Sequence, residues 1–354
     1  MVVRMAYQMG YHRDPDSFGS LTVFEGEMRR RFWAATRQVD VMISFQLGLP
    51  SNICPENCDT KSPRNLLDSD FDVDTQFLPA SRSEDEPTKL LWFIVKDRQL
   101  SSFCKICQDA LSFKKKSEAE VLQLDQEVRQ THTTVPDILR TRPLSESITD
   151  DPFLIMTRSY IEFIHLKSLC ILHRKYMARG SIFSAKVCID SGRQLVGQFI
   201  EMHKEISPGG RLYATRWMLT NFTVNDFLLG VMVLCLAVHT YRKGILQSPV
   251  IDAFVEGELL QLLQESFDIC MEKCPVCKDA QRVSHVLRLV LNGASAPGTA
   301  EPQRGGFNLE TLSLQADHGH ADEALSFDIT DSFAFMGNDL ESLDWFHLDP
   351  PLYG

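Results

Sequence analysis

An all-α fold followed by an acidic tail is what this 354-residue sequence predicts. Three observations carry the prediction. Apolar residues recur at three- and four-residue spacing through most of the chain up to about residue 292, the pattern of helix faces that need burial. No stretch sustains apolar–polar alternation or offers hairpin dipeptides, so no strand is predicted. Helix-forming residues dominate, and 44% apolar content is enough for a substantial core.

The elements follow in order. Residues 1–9 form the end of a helix closed by Gly10, and Tyr11 to Ser20 is a polar turn region containing His12-Arg13-Asp14-Pro15. The best-marked helix is Phe24 to Gly48. Thr22 and Glu25 make a capping box at its start, and Gly48 with Pro50 is a stop signal. Phe24, Met28, Phe32, Ala35, Val39, Met42 and Ile43 fall on one stripe, while Trp33, Arg37, Asp40 and Ser44 line the opposite side. The spacing lets Arg37 pair with Asp40 and lie against Trp33. A solvated face rarely carries Trp, so both sides of this helix are expected to pack.

Leu49 to Pro87 is irregular, with five prolines and an acidic run near Asp70; so long an ordered loop is often functional. Helical patterning resumes at Thr88. It breaks at Ser112–Ser117, around Lys114-Lys115-Lys116, and continues as a more polar helix to about Gln130. Val135 to Asp151 is a proline-marked connection. Pro152 then occupies a favourable first position for a long helix ending near Gly180. Further helices are expected at about 182–205, 212–242, 250–271 and 276–292, with a sharp turn at Pro208-Gly209-Gly210. These give one helical domain over 1–292. Residues 293–354 form a tail too poor in apolar surface to offset the entropy of ordering.

The net charge of −11 belongs to that tail, which from Glu301 onward holds eleven acidic residues and one basic residue, Arg304. The nearly neutral body lacks the basic footprint of direct nucleic-acid binding. The amino terminus, with Arg4 and no seven-residue apolar run, is not a secretory signal. The most apolar segment, Phe227 to Val238, is too short to span a bilayer and reads as a core helix, so no membrane association is expected. The ten scattered cysteines read as reduced intracellular thiols.

Chemical motifs are few. His12-Arg13-Asp14 matches the catalytic triplet of protein kinases, but no glycine-rich loop, strand lysine or D-F-G accompanies it. Cys270-x3-Cys274-x2-Cys277 has spacing that thiolates could use to converge on an iron–sulfur cluster or zinc, against burial beside Pro275. Cys104-x2-Cys107 lacks a second pair and reads as buried. Asp68, Asp70, Asp72 and Asp74 resemble half a calcium loop without its turn glycine or terminal glutamate. Arg29-Arg30-Arg31 and Lys114-Lys115-Lys116 read as solvated helix faces. No residue is assigned a catalytic, cofactor-binding or metal-binding role.

Several stretches resemble the middle homology region of fungal-specific transcription factors, the regulators that usually begin with a six-cysteine binuclear zinc cluster. They are RMAYQMGYHRDP at 4–15, FEGEMRRRFWAATRQVDVMISFQLGLPSNI at 24–53 and PRNLLDSDFDVDTQFLPASR at 63–82. RPLSESITDDPFLIMTRSYIEFIHLKSLCILHRKYM at 142–177 and PGGRLYATRWMLTNFTVNDFLLGVMVLCL at 208–236 continue the series. The resemblance implies an all-helical regulatory domain, a nuclear location and control of transcription, with no catalytic residue. It places a zinc cluster and further helices ahead of the segment that begins here at Met1. No six-cysteine pattern exists in this chain, so a shortened gene model or a genuine truncated regulator is expected, without a cofactor of its own and reaching DNA only indirectly or through a missing amino-terminal domain. Such regulators often end in acidic-hydrophobic activation segments, and Leu343-Asp344-Trp345-Phe346 fits that composition. Transcription coactivators, or a related regulator met as a dimer partner, are the expected partners. A metal-dependent enzyme using Cys270, Cys274 and Cys277, and a helical scaffold without transcriptional activity, are the alternatives.

Overall fold

A computed structural model describes residues 1–114, 116–246 and 253–293; within them every regular element is helical. In chain order the α-helices are α1 (Val2–Gln8), α2 (Val23–Gln46), α3 (Leu91–Leu111), α4 (Glu118–Thr133), α5 (Pro152–Met177), α6 (Ile182–Ile206), α7 (Asn221–Arg242), α8 (Ala253–Lys273) and α9 (Lys278–Asn292). Local chemistry sets their starts. Thr22 and Glu25 close a reciprocal capping box on α2, and Ser117 and Glu120 do the same on α4. Asp151 caps α5 ahead of Pro152, and Ser181 caps α6.

Helices α5, α6 and α7 form the centre. Helix α5 is apolar on nearly every side, as a helix surrounded by neighbours must be. The Phe199 and Phe227 rings stack at 4.3 Å between α6 and α7. These two helices approach closely where they lack side chains. A Cβ on Gly192 would lie 2.9 Å from Leu234, and one on Gly230 would lie 2.9 Å from Val196. Helix α7 is long and apolar enough to cross a membrane by length and composition, but most of it is buried inside this bundle.

Buried charge is paired. Lys167 on α5 meets Asp226 on α7 at 2.9 Å. Asp125 on α4 accepts from His173 and Arg129; although burial opposes it, those bonds pull its carboxyl down to about 2. Lys175 near the end of α5 holds Asp109 near the end of α3, and Arg242 at the end of α7 donates to the Val290 carbonyl of α9 at 2.7 Å. The carbonyl of Ile245, just past α7, lies 3.2 Å from the Cβ position of Gly180, just past α5, so the ends of α3, α5, α7 and α9 gather at one end of the bundle.

Two boundaries differ from the sequence expectation. The helix expected at 212–242 is divided: Tyr213–Met218 is a short 3-10 turn, Thr220 is extended, and α7 starts at Asn221. The helix expected from Thr88 begins at Leu91, and the Thr88 hydroxyl accepts the Leu91 amide at 3.1 Å in the turn that leads into it. The expected tail, 293–354, lies outside the described residues from 294 onward.

Candidate functional site

The surface that sets this fold apart is the layer made by α1, α2 and the 49–87 loop. Trp33 is 1% exposed and packs edge-on against Tyr7 at 5.4 Å, beside Ala6 and Ile53. Arg37 does not pair with Asp40, as helical spacing suggested. It reaches across to α3 and binds both carboxylate oxygens of Asp97, 60 residues away. Burial lifts the Asp97 carboxyl above its usual range, and Arg37 opposes that lift. Asp40 is instead an anchor for the following loop. It accepts from the Ser51 hydroxyl at 2.6 Å, the Asn52 amide and side chain at 2.9 Å, and the Ile53 amide at 3.1 Å.

The Arg29-Arg30-Arg31 run is not the solvated face that its sequence suggested. Arg30 is buried and paired with Asp14; Arg31 binds Glu27 and Asp68 and lies over the Phe71 ring. Arg29 donates to the Met9 carbonyl at 2.6 Å and covers Tyr11. Arginines thus tie α2 to both flanking loops.

With its polar side consumed inward, α2 turns much of its apolar stripe outward. Phe24 meets Phe71 and Met42 packs on the core, but Met28, Phe32, Val39 and Ile43 are exposed, between 42% and 51%. Val2, Met5 and Leu49 are also exposed, and with Phe32, Val39 and Ile43 they line a groove of about 850 Å³. The expectation that both sides of this helix pack is therefore met on one side only among the described residues.

The other sequence motifs dissolve into structure. Cys270 lies in the core, Cys274 Sγ contacts the Ser284 hydroxyl at 3.7 Å, and Cys277 Sγ accepts from the Ala280 amide at the start of α9. Burial pushes the Cys270 thiol up to about 12 and raises that of Cys277, the reverse of what a thiolate ligand needs. Burial likewise pushes Cys107 up to about 12. Asp70 is bound by Arg82, and Asp72 accepts from its own turn at Asp74 and Thr75. Among the described residues no group of three His, Cys, Asp or Glu is arranged to hold a metal ion. Leu343, Asp344, Trp345 and Phe346 lie outside the described residues.

A second concavity, of about 670 Å³, was not anticipated from sequence. It opens between the start of α4 and the turn from α5 to α6. Its one local signal is Ile182-Phe183, two large apolar residues directly after the Ser181 cap, 50% and 43% exposed.

Residues 1–141 match the fungal specific transcription factor domain. The Zn(2)-C6 fungal-type transcription factor pigI of Monascus ruber is 33% identical over 303 residues, which cover 83% of this chain and 37% of that protein. Transcription factor phm2 of Pyrenochaetopsis sp is 32% identical over 356 residues, covering 97% of this chain and 46% of that protein. The pyrrolocin cluster transcription factor fsdR, from a fungal species (strain NRRL 50135), is 33% identical over 312 residues, 85% of this chain and 40% of its own length. The chain spans less than half the length of each of these relatives. No solved structure matches it.

Proposed function

This chain belongs to the fungal zinc-cluster transcription factors, and on that premise we propose that it serves in the nucleus as the regulatory and effector part of a transcription regulator, acting through protein contacts. The observation that carries this reading is the outward apolar face of α1 and α2. Its polar side is committed to ion pairs and loop anchors, so the apolar side is left to meet another protein surface, which we assign to a related regulator. In this reading the chain is not an enzyme. In this reading zinc and DNA contacts fall to no residue of this chain, whose sequence holds no six-cysteine pattern. Coactivators meet the acidic-aromatic tail, where Leu343, Trp345 and Phe346 supply apolar anchors and Asp344 keeps them solvated until a groove accepts them.

The reading is tested by tethering the whole chain to an unrelated DNA-binding domain and measuring a reporter. Activation that falls several-fold in Trp345→Ala/Phe346→Ala is the expected result. A silent wild-type fusion overturns the effector role. Sedimentation of Phe32→Glu/Val39→Glu against wild type, each mixed with a longer relative, tests the α1–α2 face. Co-sedimentation that the variant retains in full overturns that assignment.

A further inference from the structure

We propose that the groove between α4 and the α5–α6 turn is the resting place of this chain's own acidic-aromatic segment, Leu343-Asp344-Trp345-Phe346. The groove has an apolar floor and a cationic rim. Val121, Leu122, Ile182 and Phe183 line it, with Leu122 42% exposed despite its size. Lys116, which also lies 3.9 Å from Asp109, and Arg179 line its edge, and Arg179 makes no ion pair among the described residues. Lys114, from the same basic run as Lys116, is exposed nearby in sequence. One carboxylate, Glu118, also lines the groove. The Tyr176 hydroxyl, in the groove wall, is buried without a hydrogen-bond partner. An occupant that supplies apolar rings together with a carboxylate satisfies all of these: rings on the floor, and the carboxylate to Arg179 or the tyrosine hydroxyl.

Two facts select the chain's own tail. The first is where the described chain ends. A Cβ on Gly293, just past α9, would lie 3.3 Å from Arg242 at the end of α7. Three residues beyond Arg242, the Ile245 carbonyl lies 3.2 Å from the Cβ position of Gly180, which lines the groove. The tail leaves from the end of the bundle that holds the groove. Forty-nine residues separate Gly293 from Leu343, and a flexible linker of that length spans on the order of 40 Å, so the tether reaches and holds the segment at an effective concentration of about a millimolar. The second fact is charge. Eleven acidic residues against one basic residue after position 300 complement the lysine and arginine rim. The proposal concerns where the segment rests and holds whether or not that segment recruits coactivators.

The full-length chain carrying 5-fluorotryptophan tests it. Its four tryptophans give four fluorine signals, and Trp345→Phe identifies the one that matters. In wild type the Trp345 signal is expected to be displaced from that of a free peptide of residues 336–354. Arg179→Glu/Phe183→Ser, both at exposed positions, is expected to return it to the peptide position while the Trp33, Trp92 and Trp217 signals stay, which reports an intact fold. Asp344→Lys alone is expected to release the segment, and adding Arg179→Glu to it restores docking. A wild-type Trp345 signal coincident with the free peptide overturns the proposal. So does a displaced signal that ignores the groove variants, or one that returns on dilution and so belongs to contact between two copies. The tethered reporter assay is read independently, so failure of docking and failure of the effector role are distinguishable.

Discussion

Arg30 and Asp14 meet as a bidentate pair beneath the surface, Nε to Oδ2 at 3.1 Å and Nη2 to Oδ1 at 2.8 Å, with both side chains more than nine-tenths buried. The Lys61 amide also donates to Asp14, so one carboxylate fixes α2, the 11–20 turn and the 49–87 loop together. Although burial opposes it, Arg30 and these amides hold the carboxyl well below the usual carboxylate range. Asp14→Ala leaves Arg30 buried without its main partner and is expected to destabilise the fold by about 3–5 kcal/mol. Chemical denaturation of the variant at pH 7 checks this. Because the folded carboxyl is depressed, the pair's contribution is present above the unfolded value near 4 and is lost as pH falls below it. Wild type and variant therefore converge in acid.

Asp40 organises a turn by accepting four hydrogen bonds from Ser51, Asn52 and Ile53. Asp40→Ala is expected to cost about 2–3 kcal/mol by leaving the Ile53 amide without its carboxylate acceptor. Amide hydrogen exchange at residues 51–53 is expected to rise by one to two orders of magnitude in that variant, with exchange in α6 and α7 unchanged.

Gly209 and Gly210 make the turn after α6 for different reasons. Gly209 has φ +91° with open space around it, so Gly209→Ala is expected to cost only about 1–2 kcal/mol of backbone strain. A Cβ on Gly210 would fall 2.1 Å from the Glu205 carbonyl, which accepts the Leu212 amide at 2.9 Å. Gly210→Ala is expected to cost more than Gly209→Ala, because backbone must move and that bond is lost. Paired thermal denaturation of the two variants decides the order.

His132 and His165 stack at 3.9 Å between α4 and α5, with His132 Nε2 3.3 Å from Glu162. Burial, aided by His132, pushes His165 down to about 3, while burial pushes Glu162 up to about 7. The signs oppose. A histidine neutral in the fold but charged in the unfolded chain below about 6.5 removes stability as pH falls, by at most about 1.4 kcal/mol per pH unit. A glutamic acid that stays protonated in the fold removes stability as pH rises between its unfolded value and 7. His165→Phe is expected to flatten the acid-side loss between pH 6.5 and 4, and Glu162→Gln to steepen it. Denaturant midpoints at pH 7.5, 6 and 5 check both directions.

Much of this architecture is legible in sequence where one residue's chemistry decides locally. The capping box of Thr22 with Glu25 and the first-turn proline Pro152 mark helix starts, and the all-apolar run in α7 leaves only burial as its environment. The failures share a physical cause. Periodicity groups Phe32, Val39 and Ile43 on one side of α2 but does not say which side turns inward. That was settled by Asp97, a partner far along the chain that no spacing rule within α2 can name. The same blindness hid the α4–α6 groove, whose walls come from two stretches of chain more than fifty residues apart, 116–122 and 176–184. The 213–218 turn has ordinary helical composition, and its break depends on how Thr220 enters α7.

Helix α2 meets the bundle through Val41, Met42 and Phe45 and through the polar contacts of Arg37 with Asp97 and of Gln38 with the Phe93 carbonyl, while Trp33 packs within its own layer beside Ala6 and Ile53. Detaching it would uncover little hydrocarbon, so its release carries a small heat-capacity increment and a shallow denaturant slope. Its partly exposed charge pairs weaken with ionic strength, whereas burial at the α5–α7 centre does not. Salt and temperature therefore act on different parts of this molecule. Rising salt loosens the outer layer that presents the apolar groove, and cooling bears instead on the core that supports it.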